Sequence, residues 1–156
     1  MKAPELNEDF VDFLEALIAR RAHFVVVGAH ALAAHGLPRA TGDLDILVDP
    51  TPENAQAVLA ALSDFGAPIE AHGVAQEDFA KPGTVYQMGL PPRRIDLLTS
   101  VSGLSYESVW AGRLVADVQG MSLPFIGRAE LINNKLASAR PKDLLDVEAL
   151  RSRISR

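Results

Sequence analysis

Hydrophobic and polar positions along this chain switch repeatedly between a helical period and short apolar runs. Asn7 is suited to cap a helix, Glu8 and Asp9 follow in its first turn, and Phe10, Phe13, Leu14, Leu17 and Ile18 then recur at helical spacing. His23–Val27 is short and apolar, which predicts a central strand. Ala29–His35 reads as a helix of small residues stopped by Gly36 and Pro38. Leu44–Val48 predicts a second strand. Thr51-Pro52-Glu53 supplies an N-cap, an early proline and an early acid, and Ala57, Val58, Leu59 and Leu62 form one apolar face of a helix ending near Gly66. Residues 67–83 show no clear period and are expected to be loop. Thr84–Met88 and Arg94–Leu98 predict an antiparallel hairpin around Gly89-Leu90-Pro91-Pro92. Tyr106–Gly112 predicts a short helix, and Leu114–Val118 with Ser122–Ile126 a second hairpin around Gln119-Gly120. Arg128–Ala139 and Pro141–Ile154 read as two closing helices. The expected class is α/β: a mixed sheet flanked by helices, with C-terminal helices.

A length of 156 residues suits one domain, 1–156, with a real core. Hydrophobic residues make up 48% and charged residues 22%, the proportions of an ordinary soluble globule. No apolar run approaches a membrane span, so no membrane partner is expected. Met1-Lys2-Ala3-Pro4 leads into an acidic segment without the pattern of a secretory leader. The absence of cysteine excludes disulfides and thiolate metal sites and points to a cytoplasmic location. A net charge of −5 argues against broad nucleic-acid binding. The charge is uneven: residues 1–112 hold seven Lys/Arg against fifteen Asp/Glu, and residues 113–156 hold eight against five. An acidic metal-holding part and a basic phosphate-facing part would be distributed in this way, and so would a solvated basic helix at the end of the chain.

Asp43 and Asp45 stand at i and i+2 in a predicted strand, so both carboxylates project to one face while Leu44 and Ile46 take the other. Adjacent carboxylates repel, and a hard cation such as Mg²⁺ between them relieves that repulsion. Gly28 lies at a strand-to-helix turn, where the backbone can approach a phosphate. Asp96 is a lone carboxylate inside the apolar strand Arg94–Leu98. If that strand lies beside the Asp43–Asp45 strand, three carboxylates meet, a set suited to two Mg²⁺ ions and a triphosphate. Near the end of the chain, Lys135, Arg140 and Lys142 form a basic cluster able to hold phosphate oxygens, while Asp143 suits the first turn of the last helix. His30 and His35 are five apart, poor spacing for two ligands on one helix face, and His30 is expected to pack against the sheet.

Val27-Gly28-Ala29, the pair Asp43-Leu44-Asp45 and the later Asp96 resemble the nucleotidyltransferase fold of the DNA polymerase β superfamily, whose pattern is h-G-[GS], a gap, D-h-[DE]-h and a third carboxylate on a following strand. The stretch from Lys135 to Val147 is similar to the tail of AbiEii-type toxins of toxin–antitoxin systems and of related small bacterial nucleotidyltransferases. The resemblance covers about residues 22–150. It departs at Ala29, where the pattern has Gly or Ser: alanine keeps the backbone N–H and lacks the hydroxyl. The resemblance implies a nucleotidyltransferase-type mixed sheet and transfer of a nucleoside monophosphate from a nucleoside triphosphate to a hydroxyl, with Mg²⁺ or Mn²⁺. Asp43, Asp45 and Asp96 would be the catalytic and metal-holding residues. Gly28, Ala29, Arg39, Lys135, Arg140 and Lys142 would bind the nucleotide. The acceptor would be an RNA end, a protein or a small molecule, and a cognate antitoxin is an expected partner of a toxin. Two other readings stand beside this one: an inactive nucleotidyltransferase-fold binding or antitoxin module, and a small-molecule enzyme of the aminoglycoside-modifying type. The preferred base, the acceptor and the oligomeric state are not legible.

Overall fold

The computed structural model describes residues 6–38 and 42–152. Its elements are α1 (Glu8–Ala19), β1 (Phe24–Val27), α2 (Gly28–Ala34), β2 (Asp43–Val48), α3 (Pro52–Phe65), β3 (Val85–Met88), β4 (Arg94–Leu98), α4 (Tyr106–Ala111), β5 (Leu114–Val118), β6 (Met121–Phe125), α5 (Arg128–Ser138) and α6 (Pro141–Ser152). The strands form one mixed sheet in the order β3-β4-β2-β1-β6-β5. β1 runs antiparallel to β2 and parallel to β6, and β2 runs parallel to β4. Both expected hairpins, β3–β4 and β5–β6, are antiparallel. No described helix is long and apolar enough to cross a membrane.

The helix ends follow from local chemistry. The side chain of Asn7 accepts from the Phe10 N–H at 3.0 Å, and that of Thr51 accepts from Asn54 N–H at 3.2 Å. Gly66 closes α3 at φ 89°, a left-handed conformation that glycine adopts without steric cost. Phe10, Phe13, Leu14 and Leu17 are buried on one side of α1, as their spacing requires. Leu44 and Ile46 of β2 and Ile95 and Leu97 of β4 are also buried. Asn54 is a buried polar residue that joins three segments. Its carboxamide accepts from His23 N–H at 2.7 Å and donates to the carbonyls of His23 and Asp49 at 2.9 and 3.0 Å.

One expectation needs correction. Within 67–83, residues Gln76–Ala80 form a 3-10 turn, and Phe79 in it is fully buried. The turn contributes one large apolar anchor, too short a pattern to produce a period.

Candidate active site

The site begins with strand register. β2 and β4 pair so that Asp45 stands opposite Asp96 and Asp43 opposite Arg94. On the flanks Val27 stands opposite Asp45, and Gln87 opposite Asp96. The pleat puts Asp43, Asp45, Arg94 and Asp96 on one face, since residues two apart on a strand and partners directly across share a face. Farther along the same face of β2, Leu47 is buried, so the face is open near Asp43 and covered beyond it. Arg39, between α2 and β2 in the sequence, lies outside the described residues.

Arg94 lies between the carboxylates. Its terminal nitrogen donates to Asp43 Oδ2 at 2.6 Å and to Asp96 Oδ2 at 3.3 Å, and its Nε donates to Asp96 Oδ1 at 3.1 Å. The planar guanidinium thus spans two strands with a fork that matches carboxylate geometry. Gln87 Nε2 makes a long 3.5 Å contact to Asp96 Oδ2. Asp45 receives least compensation. Burial, then the negative charge of Asp96 and a hydrogen bond shared with it, then the charge of Asp43, push its carboxyl up to about 7, against the opposing pull of Arg94.

Gly28 completes this corner. It has φ +70°, and a Cβ built on it would collide with the Asp45 carboxylate, its Cγ lying 2.9 Å away. Only a residue without a side chain lets the start of α2 sit against Asp45. Ala29 follows in the first turn of α2, half-buried. His30 packs edge-on against Phe10 with ring centroids 5.7 Å apart, and its ring hydrogen-bonds the Asp43 backbone. Its Nε2 is buried with no partner among the described residues. Burial pushes its pKa down, so the ring is neutral and acts as a strut between α2 and β2.

Two of the basic residues of the tail, Lys135 and Arg140, have acidic partners on α6. Lys135 Nζ pairs with Asp146 Oδ2 at 2.9 Å and with Asp143 Oδ1 at 3.6 Å, both on α6. Arg140 holds Asp143 through Nε at 2.7 Å, and Lys142 is exposed. The charges that act on Asp45 are those of Asp96, Asp43 and Arg94, whereas those that act on Asp143 are Arg140 and Lys135. The structure therefore brings together Asp43, Asp45, Asp96 and Gly28 and gives Lys135 and Arg140 partners between α5 and α6. Sequence reasoning passed over Arg94. The available signal was its position two before Asp96, which puts both on one strand face.

Two solved structures share this architecture. A nucleotidyltransferase candidate from Thermotoga maritima superposes with a TM-score of 0.55 at 14% identity, covering 97% of this chain and 96% of its own. The lincosamide antibiotic adenylyltransferase LnuA, in a lincomycin-bound structure, superposes with a TM-score of 0.53 at 13% identity, covering 95% of this chain and 98% of its own. This chain has the nucleotidyltransferase fold. No family model matches it, and no curated protein matches by sequence.

On the nucleotidyltransferase fold the donor chemistry of β2 and β4 fits a hard divalent cation: three carboxylates on paired strands, one of them short of positive charge. Among the described residues no three acidic or histidine side chains stand close enough to hold an ion as they are. The Arg94 guanidinium bridges Asp43 and Asp96 instead.

Proposed function

We propose that the protein is a nucleotidyltransferase that moves a nucleoside monophosphate from a nucleoside triphosphate to a hydroxyl and releases pyrophosphate. The observation that carries this reading is the meeting of Asp43, Asp45 and Asp96 on one sheet face beside Gly28. Asp43, Asp45 and Asp96 would hold Mg²⁺ or Mn²⁺. When bound, the metal neutralises charge on the phosphates and favours ionisation of the acceptor hydroxyl. Gly28 keeps the wall of the site low beside Asp45, so that a phosphate can approach the backbone. Asp96, only 7% exposed and bounded by Arg94, Gln87 and Asp45, is assigned to receive the acceptor's proton. The acceptor oxygen then bonds to the α-phosphorus, the bond to the β-phosphate oxygen breaks, and pyrophosphate leaves.

Similarity to LnuA over 95% of this chain favours a small-molecule acceptor. The toxin reading, with an RNA end or an antitoxin as partner, rests on the tail resemblance, and the charges of that tail have partners between α5 and α6. Calorimetric titration of ATP, CTP, GTP and UTP, each with and without Mg²⁺, tests the shared core of these readings. At least one triphosphate is expected to bind more tightly with the metal. No metal-dependent binding of any of the four would overturn the enzyme reading and favour an inactive binding module.

A further inference from the structure

We propose that Arg94 is the resident counter-cation of the carboxylate set, and that its guanidinium and a divalent cation occupy the gap between Asp43 and Asp96 in turn. This rests on the metal-dependent reading above. The first ground is geometric. Arg94 spans Asp43 and Asp96, at 2.6 Å on one side and 3.1 Å on the other, and acts on Asp45 through its charge alone, while the Asp45 carboxyl hydrogen-bonds Asp96. A guanidinium carries one positive charge and five donors, and it satisfies two carboxylates well and a third only through space.

The second ground is exposure. Arg94 is the first residue of β4, and its side chain and that of Asp43 are each 30% exposed, whereas that of Asp96 is 10% exposed. The contact to Asp43 is therefore the one that can open to solvent, while the contact to Asp96 is held in the sheet. Release of Asp43 alone would bring Asp43 and Asp45 into use together without unfolding any strand. The third ground is electrostatic. Three carboxylates on one face with one arginine paired to two of them leave excess negative charge. A doubly charged ion offsets more of that charge than the guanidinium it displaces.

Arg94 is thus a positioning residue that keeps the metal-free site folded and sets the threshold for metal entry. A metal at the site and a guanidinium on Asp43 exclude each other, so the affinity for the ion is lowered by the strength of the arginine clasp.

The test uses Mn²⁺ alone, titrated into the full chain and followed by calorimetry and by the electron-spin signal of the free ion. Arg94→Gln removes the competing charge and is expected to bind Mn²⁺ about tenfold more tightly than wild type, the factor of one unit of differential interaction. Binding by Arg94→Gln with none by wild type supports the proposal more strongly. Equal, saturable affinity in both proteins would overturn it while leaving the metal reading intact. No Mn²⁺ binding by either protein would overturn both. A second measurement needs no variant: the side-chain Nε–H resonance of Arg94 in wild type is followed by NMR as Mg²⁺ is added. A shift with faster exchange against water is expected, and an unmoved resonance at saturating Mg²⁺ would overturn the proposal even if Arg94→Gln fails to fold.

Discussion

Gly28 acts at the site through the atom it lacks. With φ at +70° and the Asp45 carboxylate where a Cβ would stand, it allows strand, helix start and acid to share one corner. The cost of that closeness falls on Asp45, which is half-buried beside Asp96 and Asp43. The sign of the effect follows from linkage. Its carboxyl titrates at about 7 in the fold, above the ordinary value, so the stability it allows is complete at acid pH and is lost as pH rises through 7. Asp45→Asn removes the charge and keeps the shape. In the absence of divalent ions, thermal unfolding at about pH 8 should show the variant several degrees more stable than wild type. The difference should fade to nothing near pH ~4, where the unfolded carboxyl also takes up its proton. Nucleotidyl transfer by the same variant should fall by orders of magnitude, about 10²-fold or more, because charge placement supplies most of phosphoryl-transfer catalysis. A variant with normal turnover would make Asp45 structural.

At the scale of elements, α5 and α6 are held by buried charge. Asp143 is 1% exposed and accepts from the Arg140 backbone N–H at 3.2 Å and from its Nε at 2.7 Å. Lys135 reaches across from α5 to Asp146. The pattern Lys135, Arg140, Asp143, Asp146 is therefore explained as a clasp between two helices, with Asp143 also serving the first turn of α6. The hydrogen bonds and charge of Arg140 pull the carboxyl of Asp143 below its ordinary value despite its burial. That stabilisation is present above the unfolded value and is lost as pH falls through the folded one. Asp143→Asn should cost about 1–3 kcal/mol at neutral pH, the range for buried polar groups left without their partners. The deficit should shrink as pH falls from about 4 through the lower folded value, as first the unfolded chain and then folded Asp143 take up the proton. Denaturant unfolding of both proteins at several pH values measures this, and a deficit independent of pH would show that packing, not charge, makes the clasp.

At the scale of the molecule, the site lies near the middle of the sheet. β1, β2 and β4 each have strands on both sides, while β3 and β5 are the edges. β2 is buried at four of its six positions, and on the edges Val85 is 59% and Val115 53% exposed. Catalytic precision needs a rigid base, and central strands open only with the whole fold. Native-state hydrogen exchange should therefore show the slowest amides in β1, β2 and β4 and faster ones in β3 and β5. Amides of β2 that exchange as fast as those of β5 would contradict this account of how the carboxylates are held.

Much of this protein is decided locally. Caps, turns and apolar runs depend on neighbours a few residues away, which is why α1, α3 and both hairpins are legible in the sequence. The face shared by Asp43 and Asp45 is legible for the same reason, since it needs only the pleat. The pairing of β2 with β4 is not, because it joins residues about fifty apart and depends on sheet order. With that pairing came the two facts that local pattern could not supply: Asp96 stands beside Asp45, and Arg94 reaches Asp43. Tertiary structure likewise decided the tail. Which anion a lysine meets depends on how two helices pack, and Lys135 meets Asp146 because α6 folds back onto α5. Phe79 was illegible for the opposite reason: a single buried ring has no period, and only the core it enters shows what it does.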